Sequence, residues 1–529
     1  MKEQNVKKLG FFPWIGQSIL DSIIKFGKWL LDFLWTIIKA FINIFVFAYK
    51  IIVKVGKAIG LWFYNYVNRF IKGNFKTRLS YLFVGFGHIT NGQVVKGVVL
   101  LILEALFIVF MVLPQGGAYW LSQINIFGQT GGDGMRWIGD IGTTYNYVVI
   151  SKFGEVLITK TTGFASNSML VMLYSIATLL IIAAFFALYT YGISAAYSLQ
   201  KKKEEGGHIA SFKEETHALL DRRFHVTVLS LPTLTILTFT ILPLIFMILL
   251  AFTNASLFYF PPSRRFAWTG LDTFGQLFGG NAGYSFAIGE IFKWTILWAV
   301  LATFTNYIGG MILALLINKK GIKFKKIWRT LFIISIAIPQ FISLSMMAKF
   351  LAKDGPIFNA LDALGWMKPI NIFNDTRSAR TSVVLINMWI GMPYTMLITS
   401  GILMNIPADL YESARIDGAG PVTQFFKITL PYMLFVTGPY LITQFIGNIN
   451  NFNVIFFLTG GGPDITTRGI TYGRTDLLIT WLYDLTLGGS KQEYAIGSAI
   501  GIIVFLISAF ISLVMYSKSS ANVNEDEFQ

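Results

Sequence analysis

The sequence contains no cysteine, which excludes disulfides, thiol nucleophiles and thiolate metal sites. Histidine is scarce: His88, His208, His217 and His225 are too scattered to match a zinc-ligand spacing, so no metal site is expected. No Gly-x-x-x-x-Gly-Lys-Ser/Thr phosphate loop occurs, so the chain is not expected to hydrolyse ATP itself. Charge is thin as well. Asp, Glu, Lys and Arg make up 13% of the residues, against 54% hydrophobic. A soluble domain of this length needs far more polar surface. The N-terminus lacks a short apolar core with a small-residue cleavage site, so no cleavable signal is expected.

In place of polar surface the chain carries long apolar runs, several exceeding the ~18 residues needed to cross a bilayer. They predict an all-α, polytopic membrane protein with eight spans: Val94–Leu113, Met169–Tyr197, Val226–Thr253, Ile291–Ile317, Trp328–Leu351, Val383–Leu403, Tyr432–Leu458 and Ala495–Tyr516. The net charge of +16 sits in short stretches between these runs. Lys201, Lys202, Lys203, Lys213, Arg222 and Arg223 follow span two; Lys319, Lys320, Lys323, Lys325, Lys326 and Arg329 follow span four. That placement fits the positive-inside rule rather than nucleic-acid binding, and it predicts that both termini are cytoplasmic.

Before the first span, the polar residues from Ser18 to Lys72 fall on one helical stripe. Asp21, Lys25, Lys28, Asp32, Lys39, Asn43, Lys50, Lys54, Lys57, Asn65, Asn68 and Lys72 occupy a band roughly 100° wide at 3.6 residues per turn. The other face is Trp, Phe, Ile, Leu and Val. An amphipathic helix in the membrane interface is the expectation, contacting lipid; a spanning helix at Trp29–Val53 would put Lys39 near mid-bilayer at considerable cost.

The most specific stretch lies between spans six and seven. It runs Pro407-Ala-Asp-Leu-Tyr-Glu-Ser-Ala-Arg-Ile-Asp-Gly-Ala-Gly-Pro421, followed by Phe425-Phe-Lys-Ile-Thr-Leu-Pro431. Two short helices around a glycine joint are expected. Pro407 begins the first, Leu410, Ala414 and Ile416 supply an apolar patch, Gly418 and Gly420 turn the chain, Pro421 restarts a helix and Pro431 marks entry into span seven. A short amphipathic helix held out from a membrane domain suits docking in a groove on a partner.

This stretch resembles the EAA loop of binding-protein-dependent ABC importer permeases, with Glu412-Ser413-Ala414, Asp417-Gly418-Ala419 and Ile428-Thr429-Leu430-Pro431 at the motif positions and Ser413 in place of the middle alanine. Asn387-Met-Trp-Ile-Gly-Met-Pro-Tyr394, Asn450-Asn-Phe-Asn-Val-Ile-Phe-Phe-Leu-Thr-Gly-Gly-Gly-Pro463, Thr475-Asp-Leu-Leu478 and Gly270-Leu-Asp-Thr-Phe274 resemble segments of MalF-type maltose and maltodextrin permease subunits. The likeness covers Val226 to Tyr516. It implies an importer permease core at 226–517 with its coupling loop at 405–431, preceded by a membrane-surface region at 1–80 and two spans at 81–225 around an extracytoplasmic loop at 114–167. A cytoplasmic tail follows at 518–529. By resemblance, Glu412, Ser413, Ala414, Asp417, Gly418, Ala419 and Gly420 contact the ATPase, with Glu412 pairing a cation there and Gly418 permitting the bend. The enterobacterial family form has a large extracytoplasmic domain between spans three and four. Here about 35 residues separate those spans, too few for a sizeable core, which points to a single-membrane envelope.

Gln444, Asn448 and Asn451 stand at i, i+4 and i+7 on span seven and share one face; Asn387 and Gly391 stand at i and i+4 on span six. Amides both donate to and accept from sugar hydroxyls, and Trp389, Tyr394 and Phe452 offer faces for a pyranose ring. By resemblance, Asn387, Ile390, Gly391, Gln444, Asn448 and Asn451 fall where substrate-contacting residues lie, although the family commonly has a smaller hydroxyl residue where Gln444 stands. The alternative use of such amides is to join helices. Glu104 in span one reads as a helix-packing residue. The resemblance implies a homologous, MalG-like second permease, a dimeric ABC ATPase that binds ATP and Mg, an extracytoplasmic sugar-binding protein and an oligosaccharide substrate. That substrate is maltodextrin or another oligosaccharide of raffinose or galactan type. An ion-coupled secondary transporter is the rival, but it would favour ionisable residues inside the spans.

Overall fold

The computed structural model describes residues 46, 49–51, 53–123, 148–150, 156–158, 168–257, 259, 266–279, 283–319, 321–488 and 492–518. Most of the Ser18–Lys72 stripe, most of the 114–167 loop and the tail from 519 onward lie outside the described residues. Within them the architecture is helical, with two short antiparallel hairpins, Val148–Ile150 with Val156–Ile158 and Asp464–Thr467 with Ile470–Gly473.

Among the described residues, seven helices are long and apolar enough to cross a membrane, or eight spans if a bent helix pair counts as one. After α1 (53–72) come α2 (Val94–Val112), α3 (Ser168–Glu204), the short α4 (Phe212–Leu220) and α5 (Phe224–Leu250). The chain continues with α6 (Gly283–Asn318), α7 (Lys325–Ala337), α8 (Gln340–Phe350) and α9 (Thr376–Leu403). The short α10 (Ala408–Ile416), α11 (Pro421–Ile449), α12 (Phe452–Leu458), α13 (Leu478–Tyr483) and α14 (Tyr494–Lys518) complete it. The 37 residues of α3 reach about 55 Å at 1.5 Å per residue. That exceeds the ~30 Å hydrocarbon core, so the end bearing Lys201–Lys203 stands clear of it.

Three sequence expectations are corrected by backbone chemistry. The expected fifth span, Trp328–Leu351, is a pair of helices, α7 and α8, bent by 93°. Pro339 has no N–H to continue the helix, and it holds the preceding Ile338 extended (φ −81°, ψ 126°). The expected seventh span, Tyr432–Leu458, is divided after α11: Asn450 leaves the helix and the Asn451 side chain caps α12 by accepting from the Val454 amide. At its other end α11 begins at Pro421, so the second loop helix and the span are one rod. Pro431 sits inside this rod, immediately beyond a widened turn at Phe425–Thr429 where the Leu430 amide reaches back five residues to the Phe425 carbonyl. The same device precedes Pro243 in α5, where Leu242 bonds to Leu237. A shift from i−4 to i−5 bonding lets the helix pass a proline without breaking.

α6 and α9 form the closest-packed seam. They run parallel: Trp294 meets Arg380, Gly391 meets Asn306, Gly310 meets Thr395, and the Asn318 amide donates to Ser400 at 2.8 Å. Small residues let the backbones approach. A Cβ on Gly310 would lie 2.6 Å from Thr395 Cβ and 2.9 Å from the backbone of both Met392 and Met396. Glu104, buried in α2, accepts from the Val84 amide at 3.0 Å, as befits a packing role. The described part of the expected interfacial helix departs from that expectation: α1 runs alongside the candidate span α3 in the same direction, with Trp62 on Phe186, Tyr66 meeting the Tyr189 hydroxyl and the Asn74 amide donating to Gln200.

Candidate functional site

The motif loop is a helical turn held by its own backbone. Pro407 caps α10 and Asp409 lies in its first turn, where a carboxylate suits the helix dipole. At the far end the Gly418 amide donates to the Arg415 carbonyl at 3.0 Å and the Ala419 amide donates to Ala414 at 2.8 Å. This pair of bonds is the Schellman arrangement, which requires a left-handed residue one place past the cap. Gly418 supplies it with φ +79°. The Gln424 side chain then donates to the Ala419 carbonyl, Tyr411 and Thr429 join hydroxyls at 2.9 Å, and Pro421 opens α11. The outward face is open. Glu412 and Ser413 are exposed, and the Glu412 carboxylate has no ion pair among the described residues. Ile416 is 87% exposed and Val422 70%, with Leu410 and Phe426 also exposed. An unpaired carboxylate together with exposed aliphatic and aromatic side chains in one loop is a composition suited to docking.

The intramembrane amides gather in one layer between α6, α9 and α11. Asn448, 7% exposed, donates to Thr303 Oγ1 at 3.0 Å, and its backbone carbonyl accepts from the Trp298 indole. Asn451 donates to Asn448 Oδ1 at 3.3 Å while capping α12. Asn387 is 5% exposed and its Nδ2 has no hydrogen-bond partner. Gly391 faces Asn306, whose amide lies 2.2 Å from where a glycine Cβ would stand; the buried Asn306 Oδ1 is likewise unpartnered. Ile390 and Gln444 are half-buried, and Trp389 and Tyr394 are exposed. Asn448 therefore joins helices, whereas Asn387 and Asn306 hold a spare donor and a spare acceptor. Leaving such groups unbonded costs about 1–3 kcal/mol each.

The Gly460–Pro463 and Thr475–Leu478 segments form a lock against α6 at Trp294 and Thr295. Thr475 Oγ1 donates to the carbonyls of Gly461 and Gly462 at 2.7 Å, and its own carbonyl accepts from the Trp294 indole at 3.1 Å. Buried Asp476 accepts from the Gly473 amide and from Thr480 Oγ1. A Cβ on Gly473 would come within 2.1 Å of the Gly461 carbonyl oxygen.

Residues 306–519 match the family of binding-protein-dependent transport system inner membrane components. Over 443 residues the chain is 31% identical to the galactooligosaccharides transport system permease protein GanP of Bacillus subtilis, covering 82% of this chain and 96% of that protein. The chain belongs to the ABC sugar-importer permeases. It is also 28% identical to the maltodextrin transport system permease protein MdxF of Bacillus subtilis over 85% of this chain and 97% of that one. A third relative is the maltose/maltodextrin permease MalF of Escherichia coli, at 38% identity over 226 residues, 42% of this chain and 44% of that protein. The permease is thus the multi-pass transport subunit of a sugar importer.

Sequence reasoning did not single out Asn306 or Thr303. Each is one polar residue in an apolar helix, and its position opposite Gly391 or Asn448 depends on the register of α6 against two other helices. The available signal was Thr303-x-x-Asn306 at i and i+3, on one helical face.

Proposed function

We propose that the permease carries an uncharged oligosaccharide of the maltodextrin type inward, with both termini cytoplasmic in a bacterial envelope of one membrane. The observation that carries this reading is the layer of neutral hydrogen-bonding groups at Thr303, Asn306, Asn387 and Gly391, which contains no ionisable side chain. An ion-coupled carrier would favour a titratable group there. Neutral amides and hydroxyls suit a sugar, whose hydroxyls both give and take hydrogen bonds. A homologous MalG-like permease completes the pathway, and an extracytoplasmic binding protein delivers the sugar. A dimeric ABC ATPase holding ATP and Mg docks on α10, with Glu412 meeting one of its cations and Ser413, Ala414, Asp417, Ala419 and Gly420 shaping the contact. A galacto-oligosaccharide is the second reading, favoured by the name of the relative that matches over 82% of the chain.

The test uses the reconstituted complex with its binding protein. Maltotriose should stimulate ATP hydrolysis while a β-linked galactotriose does not; the reverse result selects the second reading, and stimulation by neither rejects both. Asn387→Leu should abolish uptake while the ATPase still co-purifies. Unchanged uptake removes Asn387 from the pathway.

A further inference from the structure

Outside the permease core, the ends of α2 and α3 and the α4–α5 junction enclose a cavity of about 640 Å³. Its ionisable lining includes Lys96, Lys202, Arg222 and Arg223 against Glu214 and Glu215. Both carboxylates are already engaged. Glu215 accepts from Lys96 at 3.2 Å and from the Gln93 amide at 2.8 Å. Glu214 accepts from the Ser211 amide that begins α4 and meets His208 at 2.9 Å. Lys202, Arg222 and Arg223 therefore face the cavity with no carboxylate partner among the described residues. Gln93 Oε1, on the same wall, is a buried acceptor with no donor. Leu199, Ile209 and Ala218 give the remaining wall an apolar character. The cavity lies where two candidate spans begin and a third ends, where the hydrocarbon gives way to lipid headgroups.

We infer that this cavity binds the phosphate of an anionic glycerophospholipid. Lys202, Arg222 and Arg223 neutralise the phosphate oxygens, and the apolar wall receives the first acyl carbons. The same phosphate chemistry is offered by a soluble anion, but two features favour lipid: the position at the span ends and the apolar wall. The inference does not depend on which sugar is carried.

The experiment is native mass spectrometry of the full-length permease, delipidated in detergent and titrated with phosphatidylglycerol or phosphatidylcholine. Wild type should retain one phosphatidylglycerol that phosphatidylcholine does not replace and millimolar inorganic phosphate does not displace. At roughly fivefold per cation near a membrane surface, the Lys202→Gln/Arg222→Gln/Arg223→Gln variant should bind it roughly 100-fold more weakly. Lys202→Arg/Arg222→Lys/Arg223→Lys should retain it, which separates loss of charge from loss of fold. Equal retention by wild type and the neutral variant, or by both lipids, overturns the inference. Displacement by inorganic phosphate overturns it in favour of a soluble anion, and displacement by an acidic peptide in favour of a protein segment.

Discussion

Replacement of Gly418 isolates one backbone angle from everything else in the docking loop. Its φ of +79° is left-handed, and a Cβ placed there meets nothing within 4 Å. Any penalty is therefore conformational rather than steric crowding by neighbours. An L-residue pays roughly 1–2 kcal/mol to hold this conformation. The loop can escape by unwinding its last turn, but it then forfeits the bonds from the Gly418 and Ala419 amides, each about 0.5–1.5 kcal/mol. Either route leaves the docked geometry about 1–2 kcal/mol less favourable, a factor of roughly 5–30. Gly418→Ala should weaken binding of the purified ATPase to the detergent-solubilised permease by that factor. Gly418→Val should weaken it further, because β-branching makes the angle an outlier. Gly418→Asn should stay close to wild type, since Asn tolerates the left-handed region. Gly420 is extended (φ −71°, ψ 167°) and should accept Ala with a smaller loss. Titration of the ATPase against the four variants reads the series. Equal binding by the Val variant, or an Asn variant as weak as Val, would refute the claim that the left-handed turn shapes the docking surface.

Two further outcomes are expected in thermal unfolding. Gly310→Ala pushes a methyl group against the backbone of α9 and should cost about 1–3 kcal/mol, visible as a lowered Tm; Gly438→Ala, where a Cβ meets nothing within 4 Å, should leave Tm unchanged, and equal shifts would contradict the packed seam. Burial, with the Asp484 carboxylate adding to it, pushes the Asp476 carboxyl up to about 7, and burial pushes Asp484 to about 6. The folded chain then binds protons that the unfolded chain releases above the ordinary aspartate value of about 3.9. This stabilisation is complete below that value and is lost as pH rises through 6 to 7. Tm should fall as pH is raised across that window, and a Tm that rises there would contradict the assignment.

The long helices were legible because continuous apolar composition leaves few alternatives inside a bilayer. The loop from Pro407 to Pro431 was legible because proline and glycine state their backbone needs locally. Gly418 adopts the turn that its position in the motif implies. The corrections have a common origin. Pro339 and Pro431 are both prolines in apolar surroundings, yet one ends a helix and the other continues inside one. Pro431 follows a widened turn of five residues with no distinguishing composition, and Pro393 and Pro439 continue inside helices without one. Asn450 and Asn451 were visible as amides, but an amide that lines a helix and an amide that caps the next one look alike in sequence. The amide layer was half legible. Asn387 and Gly391 carry a recognisable neighbourhood, whereas Asn306 acquires meaning only from the glycine across the seam.

The continuity of α11 has a mechanical consequence. From Pro421 to Ile449 its 29 residues make a rod about 43 Å long, with the motif turn at one tip and Asn448 at the other. A tilt of about 10° around its midpoint would carry each tip by nearly 4 Å in opposite directions, more than the reach of a hydrogen bond. A tilt of that size would part Asn448 from Thr303 Oγ1, 3.0 Å away in this structure. A rod that enters the membrane unbroken needs no relay of side chains to carry a push across it.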